Sequence, residues 1–122
     1  MNRPVTYTEI HSPDLGATRA FMATVFGWEP EPFATSDYLV ADGGTTGVDT
    51  GLLTSLDGQP RSIVVIRVPD LGEAAASVAA AGGQVVVEPF EIAGVGRGCY
   101  VVDPVGVLIG LHQYDADAGL TE

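Results

Sequence analysis

The sequence predicts an α+β fold of two tandem βαβββ units whose mixed sheets curl around a cleft. Two echoes carry that expectation. Pro13-Asp14-Leu15-Gly16 returns letter for letter at Pro69-Asp70-Leu71-Gly72, and Glu31-Pro32-Phe33 returns at Glu88-Pro89-Phe90, one residue later in the second copy. Each tetrapeptide follows an alternating apolar run and precedes an Ala-rich helical run. The 122 residues therefore read as a single domain, 1–122, holding one unit at about 4–56 and its repeat at about 61–114.

In the first unit, Val5 to His11 alternates as Val-Thr-Tyr-Thr-Glu-Ile-His, the period of a strand, and Pro4 limits pairing at its start. Asp14 suits the N-cap of a helix ending at Gly27, with Leu15, Phe21 and Val25 on a face expected to pack on the sheet. The prolines of Trp28–Phe33 allow only an edge strand or an extended connection. Tyr38 to Ala41 reads as a short strand, Asp42-Gly43-Gly44 as a turn, and Gly51 to Ser55 as the unit's last strand. Asp57-Gly58-Gln59-Pro60 reads as the linker.

In the second unit, the β-branched run Ser62 to Val68 is the strongest strand signal in the chain. Asp70 and Glu73 have capping-box spacing, Ala74, Val78 and Ala81 line the helix that follows, and Gly82-Gly83 stops it. Gln84 to Val87 and Cys99 to Val102 read as strands, with a glycine-rich loop at Gly94–Gly98 between them. Asp103-Pro104-Val105-Gly106 is a tight turn before a closing strand from Val107 to Gln113. The polar tail from Asp115 reads as frayed.

Composition narrows the function classes. The chain is 46% hydrophobic, enough for a core, and carries a net charge of −11 from five Arg, no Lys and sixteen acidic residues. That charge disfavours nucleic acid, whose binding needs cations against phosphate, and admits a cationic partner. No apolar run approaches the roughly 20 residues of a membrane span, and the N-terminus lacks a secretory layout. With the single Cys99, these features lead to the expectation of a cytoplasmic protein without nucleic-acid or membrane partners.

Glu9-Ile10 before Pro13-Asp14-Leu15, then Val25-Phe26-Gly27-Trp28, Val68-Pro69-Asp70-Leu71, Gly82-Gly83, Gly96-Arg97 and Asp103-Pro104-Val105-Gly106 form a series over nearly the whole chain. The series resembles the vicinal oxygen chelate superfamily, which includes glyoxalase I, extradiol dioxygenases and bleomycin-resistance-type drug-binding proteins. The resemblance implies two βαβββ units, a shared cleft, and pairing of two copies into a homodimer. It also implies slots for divalent-metal ligands, and these fall here on Tyr7, Ile63, Gly110 and a position within Gly51–Thr54. Ile63 and Gly110 offer no donor and Tyr is a poor one for a hard cation, so neither metal nor other cofactor is expected.

Period 2 groups Tyr7, Glu9 and His11 on one face, Ile63, Val65 and Arg67 on another, and Leu108, Gly110 and His112 on a third. The resemblance makes these faces cleft-lining. The expected ligand-binding set is Tyr7, Glu9, Val65, Arg67, Leu108, Gly110 and His112, with no catalytic residue assigned. Glu9 could meet a cation or act as a base, but an ion pair with Arg67 is favoured. His112 reads as a structural histidine before a proton shuttle, His11 as a loop-edge residue, and Cys99 as a packed thiol. The missing metal ligands and the acidity favour a non-catalytic protein that captures a small apolar or aromatic molecule, such as an antibiotic. An isomerase, cyclase, lyase or dioxygenase of the same superfamily, acting on a small metabolite, is the alternative.

Overall fold

In the computed structural model, which describes residues 2–115, the chain runs β1 (Val5–Ser12), α1 (Leu15–Phe26), β2 (Glu31–Phe33), β3 (Thr35–Ala41), α2 (Gly43–Thr46) and β4 (Thr50–Thr54). It continues with β5 (Arg61–Arg67), α3 (Leu71–Ala80), β6 (Gln84–Ile92), β7 (Gly96–Val102) and β8 (Leu108–Tyr114). The expected α+β class is present, and so is the β-α-β-β-β order of each repeat, with the short α2 added before the last strand of the first.

Packing divides the chain into Thr6–Val64 and Val65–Glu122 with Met1–Val5. The arm joins the second unit where the Arg67 N–H donates to the Pro4 carbonyl at 2.9 Å. In the first unit the strand order is β2-β3-β4-β1, with β1 parallel to β4 and the other neighbours antiparallel. The second unit repeats it as β6-β7-β8-β5, with β5 parallel to β8. In each unit the first strand therefore pairs with the last, which a helical crossover between them permits.

The helix starts follow the caps read from sequence. Asp14 Oδ1 accepts the Ala17 N–H at 3.1 Å and Asp70 Oδ1 accepts the Glu73 N–H at 2.9 Å. Gly27 ends α1 in the left-handed region at φ 73°, where it satisfies two of the last carbonyls. Asp42-Gly43-Gly44 is not a simple turn: the Asp42 side chain accepts the Gly44 N–H and opens the single helical turn of α2.

The packing of α1 also corrects the sequence. Leu15, Thr18 and Met22, spaced i, i+3, i+7, are its half-buried side, and the Thr18 hydroxyl bonds the Ser12 hydroxyl at 2.7 Å. Phe21 and Val25 lie on the flank of that stripe and are exposed, as is Phe26, which meets Phe21 edge to face at 6.2 Å. The buried apolar residues of the first unit are instead Pro30 and the strand residues Leu39, Ala41, Leu52, Leu53 and Ile63. In the second unit α3 does cover the sheet. Leu71 is fully buried among Val68, Cys99, Val101 and Leu111, with Ala74 and Val78 packed against them. Cys99 is thus the packed thiol expected of it, and burial, followed by the Glu88 charge, pushes its pKa up.

Asp115 donates its N–H to the Val95 carbonyl at 2.8 Å, and the tail beyond it, read as frayed, lies outside the described residues. Among the described residues no helix is long and apolar enough to cross a membrane.

Candidate active site

Alternation along β1 aims Tyr7, Glu9 and His11 to one side of the first unit's sheet. Parallel β4 sets Gly51 opposite Glu9, and antiparallel β3 sets Val40 opposite Gly51 and Tyr38 opposite Leu53, so Tyr38 shares that side. Glu9 is 3% exposed and both its carboxylate oxygens are engaged. Oε1 lies 2.9 Å from His11 Nε2, and Oε2 accepts the Tyr38 hydroxyl hydrogen at 2.8 Å. The Tyr38 oxygen lies 2.8 Å from the Tyr7 oxygen. Tyr7 and Tyr38 are half-buried, so they are the places where the buried carboxylate approaches the surface.

The hydrogens of this chain have a direction. A phenol has one hydrogen to donate, and that of Tyr38 goes to Glu9, so Tyr7 must donate to Tyr38. Burial, and then the Glu9 charge, pushes the Tyr38 pKa far above the ordinary tyrosine value of 10.0. Tyr38 therefore stays a neutral hydroxyl that can receive a proton on one side while releasing one on the other. The arrangement can draw a proton from Tyr7 towards Glu9.

Gly51 makes this approach sterically feasible. A Cβ built there would stand 2.5 Å from the Tyr38 hydroxyl oxygen and 2.7 Å from that of Tyr7. One position of the Gly51–Thr54 slot is thus occupied by tyrosine hydroxyls, and Tyr7, the first-strand slot, is committed to Tyr38. Ile63 is a buried hydrocarbon and Gly110 has no side chain. These residues do not fit a divalent metal of the superfamily kind, and no three His, Cys, Asp or Glu among the described residues form a metal-holding group. Two cavities of this unit, of about 540 and 370 Å³, run along β1: Ile10, His11 and Ser12 line the first, and Thr8, Glu9 and Ile10 line the second.

The seven residues expected around a cleft fall into two sets. Tyr7 and Glu9 belong to the first unit, and Val65, Arg67, Leu108, Gly110 and His112 to the second. Within the second, register places Val65 opposite Gly110 and Arg67 opposite His112, with Leu108 on the same face. His112 Nδ1 lies 3.3 Å from the Tyr114 hydroxyl, and the Arg67 guanidinium carbon lies 4.8 Å from the centre of the Tyr114 ring.

His11 is not a loop-edge residue: β1 continues through Ser12, and His11 is 2% exposed. Its place on the Tyr7–Glu9 face was the available signal, since i and i+2 share a side. Tyr38 and Tyr114 were missed altogether. Tyr38 depends on β3 pairing with β4, which local pattern does not encode. Tyr114 lies one residue past the expected end of the last strand.

No protein-family model matches the chain. The protein named "Putative glyoxylase CFP32", in Mycobacterium tuberculosis and in Mycobacterium bovis, is 27% identical over 124 residues, covering 94% of this chain. The match takes in 47% of those proteins, so the chain spans about half the length of the curated relatives it matches. Among solved structures, methylmalonyl-CoA epimerase from Mycobacterium tuberculosis superposes with a TM-score of 0.64 at 17% identity, over 89% of this chain and 86% of that one. A glyoxalase/bleomycin resistance protein/dioxygenase superfamily member from Vibrio splendidus gives 0.64 at 20% identity, over 92% and 99%. The expectation of a non-catalytic protein is corrected here, because the sequence relatives and the epimerase neighbours are named as enzymes. Sequence likeness to a putative glyoxylase and a fold shared with glyoxalase/bleomycin resistance protein/dioxygenase superfamily structures agree with the motifs, and the chain resembles the vicinal oxygen chelate superfamily over nearly its whole length.

Proposed function

We propose that the chain is an enzyme that moves a proton on a small carbonyl metabolite, with Glu9 as the base and Tyr7 and Tyr38 as the relay that reaches it. The observation that carries the reading is the directed chain Tyr7–Tyr38–Glu9, which ends on a buried carboxylate. A proton leaves a substrate carbon next to a carbonyl and is taken up at the Tyr7 oxygen. The Tyr7 hydrogen passes to Tyr38, and that of Tyr38 to Glu9 Oε2. The bonding electrons stay on the substrate as its enolate, and return of the proton to the other face or another atom gives the isomer. His11, bonded to the second carboxylate oxygen, keeps Glu9 turned towards Tyr38. Positioned acid–base groups of this kind contribute on the order of 10²–10⁴ in rate.

The carbonyl class is supported by the names of the similar proteins, a glyoxylase and a methylmalonyl-CoA epimerase. The test is turnover by the purified chain of 2-oxoaldehydes and of 2-substituted malonyl thioesters, followed by chiral analysis of the product. Glu9→Gln keeps the shape and removes the base, so it should abolish any turnover found. A Glu9→Gln protein as active as wild type would end the proposal.

A further inference from the structure

Alternation along β1 turns Thr8 and Ile10 to the side away from Tyr7, Glu9 and His11. Both border the cavity of about 370 Å³, whose lining lies wholly within the Thr6–Val64 unit. Thr46, Val48 and Thr50 border it from the segment that links α2 to β4, and Val64 does so from β5. Trp28, half-buried just past the end of α1 and the only tryptophan of the chain, completes the part that matters here.

The hydroxyl hydrogens around this cavity have fixed destinations. Thr50 donates to the Val48 carbonyl at 2.8 Å. Thr46 gives its hydrogen to the same carbonyl and, at 3.4 Å, to that of Asp42. A threonine has one hydroxyl hydrogen, so in the 3.0 Å bond between the Thr8 and Thr50 oxygens Thr8 must be the donor. All three hydrogens are spent within the wall, and the oxygens are left to accept. None of the lining residues is a Lys, an Arg or a His, while the segment that supplies Thr46, Val48 and Thr50 carries the carboxylates of Asp42 and Asp49.

We propose that this cavity binds a small primary alkylammonium ion, which donates to the threonine oxygens and lays its hydrocarbon body against Ile10, Val48, Val64 and the Trp28 ring. Each part of the lining matches one part of that ligand. Hydroxyl oxygens with no hydrogen to offer reward a donor, and a charged donor makes the stronger bond. An indole ring attracts a cation to its face and an alkyl group by contact. A net charge of −11 raises the local concentration of cations. The volume is several times the roughly 30 Å³ share of one water and accommodates a ring of six carbons. The site goes beyond the proton-transfer reading and does not depend on it.

Titration of the full chain with cyclohexylammonium chloride, followed by Trp28 emission at constant ionic strength, tests the proposal. Cyclohexanol is the neutral ligand of similar shape. The expected result is a saturable change in emission, one ligand per chain, with the ammonium at least tenfold tighter than the alcohol. Thr8→Val keeps the side chain's shape and removes an acceptor, so it should weaken the ammonium at least threefold and leave cyclohexanol unchanged. Absence of a saturable response, equal affinity for the two ligands, or a folded Thr8→Val that keeps the wild-type preference would overturn it. If Thr8→Val does not fold by circular dichroism, Thr46→Val decides, and wild-type ammonium affinity in that variant counts against the site. An emission that changes on dilution of the protein and not with the ammonium would mean that a second copy covers the cavity, and would also overturn it. Because binding is read without turnover, failure of the Glu9 mechanism would leave this result intact.

Discussion

Tyr38, on β3, gives its hydroxyl hydrogen to Oε2 of Glu9, on β1, across 2.8 Å. β4 lies between those strands and carries Gly51, where a Cβ would meet the Tyr38 and Tyr7 hydroxyl oxygens. The missing Cβ thus leaves the Tyr38 hydroxyl room over β4, from where it reaches a carboxylate two strands away.

The network should be a source of stability as well as chemistry. Glu9→Leu removes the acceptor of both His11 and Tyr38 in a buried place, and should cost about 3 kcal/mol. Glu9→Gln retains a carbonyl acceptor and should cost about 1 kcal/mol. Urea unfolding of the two variants beside wild type checks the order. Equal loss in both would mean that packing volume, and not the hydrogen bonds, matters at this position.

Tyr38 makes alkaline stability a second readout. Below pH 10 its phenol is protonated in both the folded and unfolded chains. Above its ordinary value of 10.0 the unfolded chain releases the proton while buried Tyr38, with its raised pKa, retains it. Stability should therefore fall as pH rises, with a slope from this residue of about 1.4 kcal/mol per pH unit. Tyr38→Phe should flatten the profile between pH 10 and 11.5 by that amount. Parallel profiles for the two proteins would mean that Tyr38 ionises freely when folded.

Much of this fold could be read from the chain because its punctuation is local. Asp14 and Asp70 cap helices through their own next turn, Gly27 ends one by its left-handed backbone, and the Pro-Asp-Leu-Gly echo exposes the repeat. The failures have a shared physical origin in contacts distant along the chain. His11 looked like a loop edge because Pro13 follows closely, but parallel pairing of Ser12 with Thr54 carries β1 past it. Glu9 was recognised as a possible base, while its partner Tyr38 depends on the strand order β3-β4-β1. Helix α1 was correctly bounded and wrongly oriented, since Phe21 and Val25 fit one helical stripe and Leu15, Thr18 and Met22 another.

Gly51→Ala tests the close approach itself. The added methyl would meet both hydroxyl oxygens, so Tyr7 and Tyr38 must separate while buried Leu52 beside it stays in place. Turnover should fall on the order of 10²-fold, the scale of a lost acid–base group, with the circular dichroism spectrum unchanged. Full activity in Gly51→Ala would show that the hydroxyl pair is dispensable.

The donor set at the superfamily's ligand slots leads to a direct analytical expectation. With Tyr7 engaged by Tyr38, Ile63 apolar and Gly110 without a side chain, the purified chain should carry well under one divalent ion per molecule. Elemental analysis after dialysis checks this. A stoichiometric ion that survives dialysis would require ligands other than those slots.

Exchange of the substrate's α-hydrogen with D2O, followed by proton NMR, measures the proposed step without waiting for net product. For a carbonyl compound that the wild type processes, the account predicts enzyme-dependent exchange that Tyr38→Phe slows at least about hundredfold, because the relay between Tyr7 and Glu9 is cut. The KM should be nearly unchanged, since Tyr38 touches Glu9 and Tyr7 and acts through them. Exchange in Tyr38→Phe at the wild-type rate would contradict the relay and the assignment of Glu9 as the base it serves.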